Sequence, residues 1–191
     1  MAEAYHVLSA NLLAGLGNKK IIEIAGVSGT GNNSELLANL AVAVAQAGKK
    51  VLLLDCNFHN PKQHAIFGLQ NHGLVDCLQT TEDFHSFVQA TKQVNLQVLT
   101  AGSVGVTNPV EILMGLSMQE IFDNVRAEYD IVLLDVPSVL EVADAVVVGE
   151  KIDGVILIFT NKKDKVEQAQ KAKVLFTQAG VSILGCVLNK V

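Results

Sequence analysis

The stretch from Gly26 to Ser34 reads Gly-Val-Ser-Gly-Thr-Gly-Asn-Asn-Ser and stands between an apolar run, Ile21 to Ala25, and a helical run, Glu35 to Gln46. Glycines at this spacing let successive backbone N–H groups curl around an oxyanion while the following helix turns its N-terminal dipole on it. A Walker A loop, G-x-x-x-x-G-K-[ST], adds a lysine for the β- and γ-phosphates and a hydroxyl for Mg²⁺. Gly26, Gly29 and Gly31 suit that loop, but Asn32 and Asn33 follow, and there is no lysine between Lys20 and Lys49. Either the loop holds phosphate by its backbone alone or it has stopped binding nucleotide.

Two acids stand at matching places further on. Lys50 to Asp55 and Ile131 to Asp135 are apolar runs that each end in a carboxylate. Such runs fit parallel strands buried on both faces, whose C-terminal ends open toward the glycine loop. Mg²⁺ beside a phosphate takes carboxylate and water oxygens, so Asp55, Asp135 and Ser34 are the candidate metal ligands. Alternatively, strand-end acids of this kind merely cap loops or helices.

Other chemistries find less support. The G-x-x-G-x-G at Gly26, Gly29 and Gly31 differs from the dinucleotide spacing G-x-G-x-x-G, and neither Tyr5 nor Tyr129 has a lysine four residues on. Cys56, Cys77 and Cys186 are far apart and odd in number, which suits buried thiols rather than disulfides or zinc. The histidines, His6, His59, His64, His72 and His85, have no metal-ligand spacing. Lys162, Lys163, Asp164 and Lys165 form a mixed-charge helix start. A net charge of −5 argues against nucleic acid or an anionic membrane as partner. With no apolar run long enough to span a bilayer, a cytoplasmic chain is expected.

The positioning elements follow from periodicity. Helices are expected at Ala4 to Leu16, Glu35 to Gln46, Lys62 to Phe67, Leu74 to Leu78, Asp83 to Ala90, one or two between Pro109 and Glu128, then Val142 to Gly149 and Lys165 to Ala179. Strands are expected at Ile21 to Ala25, Lys50 to Asp55, Leu96 to Leu99, Ile131 to Asp135, Gly154 to Phe159 and Val181 to Leu188. Alternation of this kind predicts an α/β fold: one domain over residues 1–191, a doubly wound, mostly parallel sheet flanked by helices in three layers.

Several segments also resemble the cytoplasmic ATPase domain of bacterial tyrosine kinases (BY-kinases) of capsular and exopolysaccharide biosynthesis, relatives of the MinD and ParA ATPases. Glu3 to Leu12 resembles the opening E-A-Y-R-x-L-R-x-N, and Ala38-Asn-Leu-Ala41 the helix after the Walker A loop. Val51 to Pro61 is similar to the Walker A′ segment, Φ-Φ-Φ-D-x-D-x-R-x-P. Asn108-Pro109 with Glu111 resembles N-P-x-E-L, Ile131 to Pro137 the Walker B strand, and Val187 to Val191 the closing strand. The departures fall on charged positions. The loop lysine is Asn32, or Asn33 counting back from Asn39, so that either Asn33 or Ser34 takes the Mg²⁺ hydroxyl position. Asn57 replaces the second Walker A′ acid, His59 its arginine, Ser138 the last Walker B proline, and His6 and Ser9 the arginines of E-x-x-R-x-x-R.

The resemblance implies ATP or ADP with Mg²⁺, held by Gly26, Gly29, Gly31, Asn32, Asn33 and Ser34, with Asp55 and Asp135 as vestigial catalytic candidates. Losing one electrostatic donor costs about 2.7 to 4 kcal/mol of transition-state stabilisation, and several are replaced together. No nucleotide or metal is therefore expected in the leading reading, a partner-binding pseudokinase. Its implied partner is a membrane polysaccharide co-polymerase or an active homologous ATPase, at the inner membrane only through that partner. Loss of the first-helix arginines disfavours the family's octameric ring. The alternatives are an active but atypical kinase or ATPase, and a MinD- or ParA-like positioning ATPase.

Overall fold

The computed structural model describes residues 2–29, 32–80, 82–103, 108–160 and 165–190. In chain order they form α1 (Ala2–Leu16), β1 (Ile21–Gly26), α2 (Asn33–Gln46), β2 (Val51–Asp55), α3 (Gln63–Phe67) and α4 (Leu74–Leu78). A 3-10 turn (Phe84–Phe87), β3 (Gln89–Ala90), β4 (Leu96–Leu99), α5 (Pro109–Met114) and α6 (Leu116–Glu128) follow. The chain continues through β5 (Ile131–Asp135), α7 (Asp144–Gly149), β6 (Gly154–Thr160), α8 (Val166–Gln178) and β7 (Ile183–Asn189). The strands make one sheet in the order β3-β4-β2-β5-β1-β6-β7, parallel except for β3 against β4. This is the α/β fold that the alternating pattern predicts.

Alternate residues of each central strand serve two separate cores. Ile22, Ile24, Val51, Leu53, Ile131 and Leu133 face α1 and α2, where Leu12, Leu16, Leu36, Leu37 and Leu40 cover them. Ile21, Ala25, Leu52, Leu54, Val132 and Leu134 face the other layer, which is covered from α4 to α8. Full burial of each such aliphatic side chain is worth about 1.5 to 3 kcal/mol, so burial on both faces fixes the register of the sheet.

One expected helix is different. Asp83 to Ala90 is a single 3-10 turn followed by an edge strand. Asp83 caps that turn by accepting the His85 N–H at 3.0 Å, and Phe84 and Phe87 are both buried. Residues three apart eclipse in a 3-10 turn, so both rings enter the core within one turn. Gln89 and Ala90 then pair with β4.

The arrangement also sets where chemistry can occur. β1 lies between β5 and β6, although its chain continues through α2 to β2, on the far side of β5. A crevice outside the carboxyl ends of the strands is expected at such a switch point. There Asp55 lies directly opposite Asp135 across the β2–β5 ladder, and Asp135 stands beside Ile24 of β1.

Candidate phosphate-loop site

α2 starts immediately after the glycine loop, with Asn32 as its N-cap residue, and its first turn reaches back into the sheet. Asn33 lies under the loop: a Cβ added to Gly26 would fall 1.8 Å from Asn33 Nδ2 and 3.1 Å from Ser138 Oγ. A side chain at position 26 would have to displace the Asn33 amide, which fills that space. The Asn33 Oδ1 is buried and has no hydrogen-bond partner. Ser34 is buried one residue on, beside Asp135, whose carboxyl it helps to hold down. It is thus Ser34 that meets the strand-end acid, while Asn33 stands beneath Gly26. Asn32 turns outward and donates to Glu35 Oε2 at 3.2 Å. Gly31, and the cluster Lys162, Lys163 and Asp164, lie outside the described residues.

Behind Ser34 the two acids are buried together, Asp55 at 0% and Asp135 at 1% exposure. Asp55 Oδ1 accepts the Asn57 N–H at 3.1 Å, and its Oδ2 accepts those of Lys62 and Gln63 at 3.3 and 3.1 Å. Gln63 ties the pair to the loop, since its Nε2 donates to Asp135 Oδ2 at 2.6 Å and to the Ser34 carbonyl at 3.0 Å. Burial pushes the Asp55 carboxyl well above the usual carboxylate range and the Asp135 charge adds to this, against the three backbone donors. Burial likewise raises Asp135, to about 6, while Gln63, Ser34 and the charge of Lys62 pull it down. Two carboxylates in one dry site cannot both ionise easily, so the pair shares a proton more readily than separate acids would.

In front of Asn33 and Ser34 opens a cavity of about 220 Å³, lined by Gly29, Asn57, His59, Lys62, Ser138 and Glu141 among others. His59 Nε2 lies 2.9 Å from Asp144 Oδ2, and Asp144 is buried. The Glu141 carboxylate is seated on the loop: a Cβ on Gly29 would fall 1.8 Å from its Oε1. Asp55 and Asp135 are not among the lining residues. Among the described residues no three His, Cys, Asp or Glu side chains converge as a metal site. For Mg²⁺, the two acids are already engaged with Gln63 and backbone N–H groups. The set does not fit a preformed metal cage.

The crevice at the strand ends therefore brings together Gly26, Gly29, Asn33, Ser34, Asp55 and Asp135. It adds Lys62, Gln63, Glu141 and Asp144, none of which sequence reasoning selected. Gln63 could have been suspected as the polar residue that follows Pro61-Lys62 and opens a short apolar helix, but nothing in that pattern points it at Asp135. Away from the site, Ser9 donates to the His6 carbonyl at 2.9 Å, and Tyr129, buried, donates to Gln97 Oε1 at 2.8 Å. Burial, helped by Glu128, pushes the Tyr129 phenol up to about 12.

A family model described as AAA domain matches residues 19–163. The tyrosine-protein kinase YwqD of Bacillus subtilis (strain 168) is 38% identical over 172 residues, which cover 90% of this chain and 72% of YwqD. The chain belongs to the bacterial tyrosine-kinase family. Two solved structures place the BY-kinase likeness across the whole fold. The kinase domain of the Escherichia coli tyrosine kinase ETK matches 100% of this chain and 75% of its own, with a TM-score of 0.93 and 28% identity. A chimerical protein, CapA2B2, matches 90% of this chain and 76% of its own, with a TM-score of 0.85 and 31% identity. This BY-kinase chain thus keeps the family scaffold.

Proposed function

We propose that this BY-kinase-type domain serves capsular or exopolysaccharide biosynthesis as a cytoplasmic, partner-binding regulatory module that has lost phosphoryl transfer. The observation that carries the reading is Asn33 beneath Gly26, an amide with a buried, unpartnered Oδ1 where the motif would bring a lysine ammonium. A phosphoryl group is transferred mainly by positioning and charge stabilisation, so a neutral amide in place of a cation forgoes that stabilisation. The acids add to this, because a pair that retains a proton offers less charge to a metal than two carboxylates. Asn57 supplies no base.

Its partner, in this reading, is a membrane polysaccharide co-polymerase of the kind represented by the CapA portion of CapA2B2, or an active homologous ATPase. Residues His6 and Ser9 bring no cation to α1, and a chain outside the octameric ring follows. A second reading, an active atypical kinase, is favoured by one observation: the Ser34 hydroxyl and the Asp135 carboxyl remain neighbours beside the loop.

The test is ATP turnover and tyrosine phosphorylation by the purified chain with Mg²⁺, alongside its binding to the cytoplasmic segment of such a co-polymerase. Binding without turnover is expected. Turnover within the about 1 to 100 s⁻¹ of working kinases would establish the second reading instead.

A further inference from the structure

Lys62 reaches the loop cavity from a direction the Walker motif does not use. Its own N–H is fixed on Asp55 Oδ2 at 3.3 Å, and the next N–H, from Gln63, on the same oxygen at 3.1 Å. The strand-end acid thereby sets the position of the turn that opens α3. Lys62 is exposed, and its side chain lines the same cavity as Gly29, Asn33 and Ser34. It is the only lysine or arginine among the described lining residues. Its charge also reaches Asp135, behind Ser34.

We infer that Lys62 replaces the missing loop lysine, holding the terminal phosphates of a nucleoside di- or triphosphate against the Gly29 side of the cavity. An ammonium on a flexible four-carbon stem suits this task, since lysine binds phosphate as a point charge and needs no fixed fork geometry. Because Lys62 is exposed, its charge carries little desolvation cost. The same geometry supplies a competitor. Glu141 sets its carboxylate against Gly29, in space a phosphate on the loop would need, so a nucleotide binds only by displacing it. The inference rests on the reading above that the cavity is a phosphoryl site by descent, and it makes the ligand one that is held rather than turned over.

The experiment is calorimetric titration of the full chain with ADP and with pyrophosphate, using wild type and the variants Lys62→Met, Lys62→Arg, Glu141→Gln and Lys92→Ala. Lys92 is exposed on the turn before β4, at the opposite end of the sheet from the strand-end crevice, and its removal costs the same net charge. Lys62→Met should weaken both ligands about tenfold or more, as expected for loss of a charge-assisted contact. Lys62→Arg and Lys92→Ala should stay near wild type, and Glu141→Gln should tighten both ligands. Circular dichroism and thermal melting check that each variant folds. Equal affinities for Lys62→Met and Lys92→Ala would overturn the assignment, as would failure of both wild type and Glu141→Gln to bind either probe. Neither outcome touches the proposed loss of turnover, whereas ATP turnover by wild type would overturn that proposal and leave the Lys62 assignment to its own variants.

Discussion

At the N-terminal ends of β1 and β6, Asp153 accepts the backbone N–H groups of Lys20 and Ile21 at 2.8 and 2.9 Å and takes both oxygens to one Arg126 nitrogen at 2.8 and 2.7 Å. At the C-terminal ends of β2 and β5, Asp55 and Asp135 face each other with no arginine and depend on Gln63 and backbone donors. Partial burial pushes Asp153 up, but Arg126 and the two N–H groups outweigh it and hold its carboxyl below the ordinary range. Asp55 and Asp135 are instead held above that range, chiefly by burial. Asp153 is thus fully paired. The strand-end pair keeps polar frustration around it, with Asn33 Oδ1 and Gln63 Oε1 buried and unpartnered; within β1, Glu23 is likewise buried without a partner for either carboxylate oxygen. Such a contrast is what separates a structural carboxylate from one retained in a site, because strained polar groups persist where binding rather than folding shaped the residues.

Removing the bridge should break the frustrated end most. Gln63→Ala takes the amide donor from both Asp135 and the Ser34 carbonyl and should lower stability in urea by about 2 to 3 kcal/mol at pH 7. A change within error would mean that Gln63 does not hold the pair.

Asp135→Asn tests the sign of the comparison. The folded value, about 6, lies above the ordinary carboxylate value, so the folded chain holds this proton more tightly than the unfolded one. Ionisation therefore costs stability that grows as pH rises from about 4 to about 6 and stays lost above it. The asparagine escapes this cost while keeping an acceptor for Gln63, and it should be more stable than wild type at pH 8 by about 2 kcal/mol, with the gain shrinking toward pH 4. Urea unfolding at both pH values measures it; a less stable variant at pH 8 would erase the distinction between the two ends.

Asp153→Asn should show the opposite sign. A depressed folded value contributes stability that is present above the unfolded value, near pH 4, and disappears as pH falls through the folded one. With Arg126 at 38% and Asp153 at 21% side-chain exposure, solvent screens the pair, and a loss of about 1 kcal/mol at pH 7 is expected. Thermal melts from pH 3 to 8 should show this difference fading in acid. Smallest is His59→Ala, where the His59 side chain is 44% exposed: below about 1 kcal/mol in the same melts, since exposed pairs contribute little.

Much of this architecture was legible beforehand for a definite reason. Val51 to Leu54 and Ile131 to Leu134 are uninterrupted apolar runs, and in a parallel sheet covered on both faces such runs can only be central strands. The Asp83 to Ala90 stretch was not legible, because Phe84 and Phe87 at a spacing of three suit either one helical turn or a 3-10 turn. Pairing with β4 decided between them. In the site, the glycines and both acids stood out by type and place. Lys62, Gln63, Glu141 and Asp144 did not, because each sits in a connecting segment whose local pattern says nothing about which strand end it will face.

By itself the sequence determined the alternation of strand and helix, the glycine loop, the two strand-end acids and the absence of a lysine after Gly31. These are local properties of composition and period, and burial on two faces converts them directly into a sheet order that gathers the acids beside the loop. Only the tertiary structure decided that Ser34 rather than Asn33 meets Asp135, that Gln63 joins the acids, and that Lys62 and Glu141 share the cavity with opposite charges. Those outcomes depend on where connections land after the sheet has closed, and the physical reason is distance: Coulomb and hydrogen-bond terms act over a few ångströms in space, between residues far apart in sequence, such as the 72 positions that separate Gln63 from Asp135.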